Sequence, residues 1–230
     1  MYHFFAKKKK KPVIIAIHGF GERRVDQLIP LKNYFEEKGY QVDCPVLFDC
    51  SNENDTNSED WIQRAKSCIE AHLNKKEEIV LCGFSMGGVI ASSLATQYRI
   101  SKLILIAPAF NYMTISNVKD AVTKYLENKE EKPRNSNYVP MPASFTTTFR
   151  EIVEQYKNDI EKVTCPTIIF HGTEDETIPY SSSKKIIKKL SKQQSALVLL
   201  NDGTHHLLED EINSKILLET AYAFLLDKIM

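Results

Sequence analysis

Short apolar runs alternate with longer stretches of helical periodicity along almost the whole chain, and few folds accommodate such a pattern. Residues 13–17, Val-Ile-Ile-Ala-Ile, form an unbroken apolar run, as a strand covered on both faces requires. Residues 26–38 follow with Leu28, Ile29, Leu31, Tyr34 and Phe35 at helical spacing, stopped by Gly39. Residues 42–47 read as a second strand. Residues 59–73 read as a helix capped by Ser58, with Trp61, Ile62, Ala65, Cys68, Ile69 and His72 on one face. Further strands over 78–82, 103–107, 167–170 and 196–200 alternate with helices over 86–98, 181–190 and 212–229. Alternation of this kind predicts the α/β class, a mostly parallel sheet with helices on both faces. It breaks between about 110 and 162, where no strand-like run occurs and residues 145–158 form one helix. The expectation is a single domain over 1–230 with a small cap insert at about 110–162. Such an insert sits above the carboxyl ends of the strands, where α/β proteins bind ligands. A length of 230 residues suits one core, which grows to roughly 250–300 residues before chains divide.

Composition removes several function classes. Lys+Arg and Asp+Glu both number 30, so no net field draws nucleic acid or an anionic membrane. The basic run from Lys7 to Lys11 leads straight into a strand and reads as a solvated turn. No apolar stretch nears the ~18 residues that span a bilayer, and the first six residues lack a secretory pattern. The five cysteines, Cys44, Cys50, Cys68, Cys82 and Cys165, are scattered without a CxxC spacing. That suggests reduced thiols in a cytoplasmic protein rather than a disulfide framework or a zinc site. The acidic loop over 49–60 has no regular calcium-loop spacing and reads as solvated. No pattern in the chain sets an oligomeric state.

The chemistry-bearing residues cluster where strands end. Gly83-Phe84-Ser85-Met86-Gly87-Gly88 lies between a strand and a helix, so it is a G-x-S-x-G sequence in a strand–turn–helix setting. Small residues are needed there because the serine must stand clear in a sharp, strained turn while strand and helix pack closely. The helix start also aims free N–H groups and a positive dipole end at the place where an oxyanion would form. Ser85 is therefore the expected nucleophile. A hydroxyl needs a base, and the base needs an orienting acid. After the strand at 167–170 come His171, Gly172, Thr173, Glu174, Asp175 and Glu176; after the strand at 196–200 come Gly203, Thr204, His205 and His206. Asp175 is preferred as the acid on pattern, and His205 and His206 compete as the base. His18, His72 and His171 read as structural. Gly19 and Gly21 around Phe20 allow a tight turn after the first strand. The Phe20 and Met86 amides are thus the expected oxyanion donors.

At these residues the chain resembles the bacterial carboxylesterase and monoacylglycerol lipase group of α/β-hydrolases. The likeness rests on His-Gly-Phe at 18–20, Gly-Phe-Ser-Met-Gly-Gly at 83–88, the Asp-Glu-x-Ile pattern at Asp175, and a histidine about sixteen residues before Tyr-Ala-Phe-Leu at 222–225. It implies Ser85 as nucleophile, Asp175 as acid, Phe20 and Met86 as oxyanion donors, and a cap between the strand after the nucleophile helix and the acid-bearing strand. The spacing of the resemblance selects His206 as base, with His205 the alternative. The implied reaction is hydrolysis of a small carboxylic ester, of short or medium acyl length or a monoacylglycerol, with no metal and no cofactor. The implied partner is the ester alone, without nucleic acid or stable membrane insertion. Phe110, Tyr112, Met113, Met141, Phe145 and Phe149 are the expected lining of the acyl pocket. The same triad serves thioester or amide cleavage and acyl transfer, and the fold also occurs in ligand-binding proteins that catalyse nothing.

Overall fold

In the computed structural model, which describes residues 10–21, 24–111, 141–190 and 194–229, six strands form one sheet. They are β1 Val13–Ile17, β2 Val42–Asp43, β3 Ile79–Phe84, β4 Lys102–Ile106, β5 Thr167–Gly172 and β6 Ser195–Leu200. Their order is β2-β1-β3-β4-β5-β6, and every neighbouring pair is parallel. Helices α1 Ile29–Glu37, α2 Ser58–Asn74, α3 Met86–Gln97, α4 Phe145–Tyr156, α5 Ser181–Ile186 and α6 Glu211–Leu225 make the connections.

The unbroken apolar runs are explained by the two cores that flank the sheet. Side chains alternate across a strand, and both sides of β1 are buried. Ile14 and Ala16 pack with Leu31 and Phe35 of α1 and Leu217 and Phe224 of α6. Val13, Ile15 and Ile17 pack with Trp61 and Ile69 of α2, Val89 and Ile90 of α3, and Phe145 and Ile152 of α4. Each such aliphatic side chain, fully buried, stabilises the fold by about 1.5–3 kcal/mol. Helix α4, which belongs to the expected cap segment, therefore shares the core on the α2–α3 face.

Several boundaries differ from expectation. The second strand stops at Asp43 instead of running to 47, because Pro45 has no N–H for a ladder. Beyond it the backbone is spoken for elsewhere: the Leu47 N–H donates to His18 Nε2 at 3.0 Å and its carbonyl accepts from Arg64. Helix α2 is capped by Asn57, whose side chain accepts from the Glu59 and Asp60 N–H groups, so Ser58 is its first helical residue. Strand β5 extends two residues further than the apolar run, through His171 and Gly172. Helix α5 ends at Ile186, short of 190. The acidic loop is internally satisfied: Asp55 pairs with Arg64 and accepts the Asp49 N–H, and Asp49 accepts from Ser51. Among the described residues no helix is long and apolar enough to cross a membrane, and no two cysteines are disulfide-linked.

Candidate active site

Ser85 sits between β3 and α3 with φ 53° and ψ −117°, a conformation unfavourable for a residue with a Cβ. Three hydrogen bonds hold it there. Its N–H donates to the Ile106 carbonyl at 2.9 Å, and its own carbonyl accepts from the Gly88 and Ala109 N–H groups at 3.0 and 3.1 Å. The glycines of the motif are dictated by contact. A Cβ on Gly83 would lie 2.3 Å from the Gly87 carbonyl oxygen, and one on Gly87 would lie 2.1 Å from that of Ile17. Strand β1, strand β3 and helix α3 can thus meet closely enough to lift the hydroxyl out of the turn.

Asp175 follows β5. Its side chain has no exposed surface. One carboxylate oxygen, Oδ1, accepts from the Thr177 and Ile178 N–H groups at 2.9 and 2.7 Å. The other, Oδ2, lies 2.8 Å from His205 Nδ1 and 3.1 Å from His171 Nε2. Burial alone would raise the pKa of this acid. The hydrogen bonds from His171 and His205 outweigh it, and the carboxyl is held well below its usual range. The group stays ionised wherever an imidazole could act beside it.

His205 completes the line: its Nε2 is 3.1 Å from Ser85 Oγ. With Nδ1–H donating to Asp175, Nε2 is left to accept the serine proton. The structure thus brings Ser85, His205 and Asp175 together and departs from the expectation that His206 is the residue facing Ser85. The His206 ring points instead towards Glu209, with Nδ1 3.4 Å from its carboxylate. The cause is the way the two loops clasp. The Gly203 carbonyl accepts the Glu174 N–H at 2.9 Å, and the His205 N–H reaches Glu176 Oε2 at 3.2 Å. A Cβ on Gly172 would lie 2.0 Å from that Gly203 oxygen. With the backbone fixed at 203 and 205, residue 205 turns its ring inward and its neighbour turns away.

His18 and His171 tie the scaffold together. His18 donates through Nδ1 to the Gly19 carbonyl at 2.7 Å and accepts the Leu47 N–H at Nε2. It is fully buried, and burial pulls its pKa down to about 4, so the ring is neutral at ordinary pH. His171 accepts the Ser183 hydroxyl at Nδ1 (2.7 Å) and donates from Nε2 to the Ile178 carbonyl (2.9 Å). Its approach to Asp175, and the Glu176 contact to the His205 backbone, were not legible as site features. The spacing of His171, four residues before Asp175, was the available signal.

Around the serine, Gly19 brings the loop after β1 close: a Cβ there would lie 3.1 Å from Ser85 Cβ. Phe20 follows on that loop, and its ring stacks on Phe149 of α4 at 4.9 Å. Met86 opens α3, so its N–H has no carbonyl a turn earlier to bond. Of the expected pocket residues, Phe145 is wholly buried edge-on to Phe48 and Trp61 and belongs to the core. Phe110 is also buried, while Met141 is half-buried against the same cluster. Tyr112 and Met113 lie outside the described residues.

A family model described as the prolyl oligopeptidase family matches residues 50–230, a span that includes Ser85, Asp175 and both candidate histidines. The chain belongs to the prolyl oligopeptidase family. This member is 22% identical over 207 residues to the thermostable monoacylglycerol lipase of Bacillus sp. (strain H-257), covering 84% of the chain and 82% of that protein. Its fold matches one of the metagenome-derived lipolytic enzymes LipS and LipT with a TM-score of 0.77, at 17% identity and over 94% of both chains. It matches the Paleococcus ferrophilus monoacylglycerol lipase with a TM-score of 0.70, at 18% identity, over 94% of this chain and 96% of that one. The architecture of this prolyl oligopeptidase family chain is that of the α/β-hydrolases.

Proposed function

We propose that the chain hydrolyses carboxylic esters through an acyl-enzyme on Ser85, with His205 as general base and Asp175 as the acid that orients it. The observation that carries this is the continuous line of contacts from Asp175 Oδ2 through the His205 ring to Ser85 Oγ, at 2.8 and 3.1 Å. In the first stage Ser85 Oγ attacks the acyl carbonyl while His205 Nε2 takes its proton. Asp175, kept anionic, stabilises the imidazolium and holds the tautomer. The Phe20 and Met86 amides receive the oxyanion, each such donor being worth about 3–4 kcal/mol in a transition state of this type. His205 returns the proton to the departing alcohol, and a water then repeats the sequence to free the acid.

The segment 110–162 acts as the cap in this reading, and its Phe149, stacked on Phe20, forms one wall of the acyl site. Apolar aromatic walls suit short to medium acyl chains or a monoacylglycerol, in keeping with the lipases and esterases the chain resembles. The odd number and scattered spacing of the five cysteines fit a cytoplasmic location.

A panel of p-nitrophenyl esters from acetate to laurate, with a monoacylglycerol added, tests the proposal. Turnover that falls to the background rate in Ser85→Ala is expected; turnover unchanged in that variant refutes it. The family description favours one second reading, cleavage of a peptide bond by the same three groups. Proline-containing peptide anilides in the same panel separate the two.

A further inference from the structure

Away from Ser85, the last turns of α2 meet the edge strand β2 in a second cluster of chemistry-bearing side chains. Cys68 and His72 are four residues apart on α2, which puts them on one face of the helix one turn apart. Asp43 ends β2 and comes up beside them. The Cys68 sulfur, a His72 ring nitrogen and an Asp43 carboxylate oxygen all lie within 4.8 Å of one another. The His72 ring is almost wholly buried and is engaged at both nitrogens: Nε2 lies 2.6 Å from Asp43 Oδ2, and Nδ1 lies 2.6 Å from Glu77 Oε2. Glu77 in turn pairs with Lys10.

We propose that Cys68, His72 and Asp43 bind a divalent transition metal, zinc before the others, with Glu77 as the outer carboxylate that orients the His72 ring. The donor set argues for the ion. Thiolate with imidazole is the combination that selects zinc over magnesium or calcium, which prefer oxygen alone. Two ligands four apart on a helix face form a ready chelate, as in the zinc helices whose histidines share that spacing. A metal-bound imidazole donates its other N–H to a carboxylate, and Glu77 stands where that donation ends. The charges also close: a divalent ion with one thiolate, one carboxylate and a neutral imidazole sums to zero, and Lys10 offsets Glu77.

The geometry needs an adjustment at Asp43. Ligands 2.0–2.1 Å from a tetrahedral ion stand about 3.3 Å apart, so the Asp43 carboxylate must withdraw from Nε2 by several tenths of an ångström. Its side chain is 37% exposed, and the Gln41 amide that reaches both of its oxygens at 3.3 Å can follow it; the exposure also gives the ion a way in. A water completes four-coordination. The site is separate from the triad: Glu77 precedes the N-terminal end of β3 and Ser85 follows its C-terminal end, a span of roughly 20 Å for six residues. The ion would clip α2 to the edge strand and take no part in ester cleavage.

The test is titration of the full chain, stripped with chelator, with zinc by calorimetry and with cobalt by absorption. One zinc per chain is expected, together with a thiolate-to-cobalt charge-transfer band. A rise in Tm of roughly 5–10 °C should accompany zinc at a hundredfold excess over Kd. Cys68→Ser and His72→Gln should each weaken binding at least about 100-fold, and Ser85→Ala should bind as wild type does. If His72→Gln does not fold, Cys68→Ser decides alone, since its side chain is only half-buried. Saturable binding absent from the folded wild type, or undiminished in Cys68→Ser, overturns the proposal and leaves His72 as a structural link between the Asp43 and Glu77 carboxylates.

Discussion

His205 and His206 are adjacent, both are imidazoles, and only their surroundings distinguish them. His205 Nε2 is 3.1 Å from Ser85 Oγ, whereas the His206 ring faces Glu209. His205→Ala is therefore expected to lower kcat on a p-nitrophenyl ester by about 10,000-fold or more, as loss of a triad base does, with His206→Ala within about tenfold of wild type. The reverse ranking in steady-state kinetics would return the base to His206. Asp175→Asn should cost about 10,000-fold, because an amide there presents the imidazole in the wrong tautomer. At this scale the sequence marked Ser85 and Asp175 through turn chemistry and position. It could not order the two histidines. Which of two consecutive residues points inward depends on loop contacts at Gly203 and Glu176 that join positions about 30 residues apart.

Between elements, two contacts position the site and each carries a prediction. Gly172 and Gly203 bring the ends of β5 and β6 together, and a Cβ on Gly172 would fall 2.0 Å from the Gly203 oxygen. Gly172→Ala must push the Asp175 and His205 loops apart. A shift of about 1 Å at reacting groups costs on the order of 100-fold in rate, so kcat should fall by about that factor, and the overpacking should cost about 1–3 kcal/mol in a urea titration. His18 joins the loop after β1 to the extended segment at Leu47 while buried and neutral. Its folded pKa, about 4 against 6.5, means the unfolded chain binds the proton first. Its contribution is whole above about pH 6.5 and drains away as pH falls towards 4, by about 3 kcal/mol in total. Urea midpoints taken between pH 7 and pH 5 should fall less steeply in His18→Gln than in wild type; parallel slopes would contradict this. The long elements were legible because their apolar periodicity is strong. The end of β2 was not, because Leu47 and Phe48 past Pro45 are buried without being paired in a ladder.

Taken whole, one parallel sheet with an apolar core on each face presents loops after β1, β3, β5 and β6 at a single edge, and Ser85, Asp175 and His205 stand on three of them. The one tryptophan, Trp61, is buried against Phe48 and Phe145 in the core that α2, α3 and α4 share. If the chain is a single domain with a cap insert, esterase activity and Trp61 fluorescence should be lost at one urea midpoint. Two separated midpoints would divide it. The fold class could be read from alternation alone, since apolar runs covered on both faces leave few alternatives to a parallel sheet. The core role of Phe145 could not, because helical spacing of aromatics is the same whether they face a pocket or a sheet. The proposed activation of Ser85 by His205 decides the function. It is tested most directly by treating the folded chain with a fluorophosphonate and mapping the adduct by peptide mass spectrometry. A single modification on Ser85, lost in His205→Ala and kept in His206→Ala, is the predicted result. No adduct on the folded wild type, or one on Ser85 that forms as fast without His205, would contradict it.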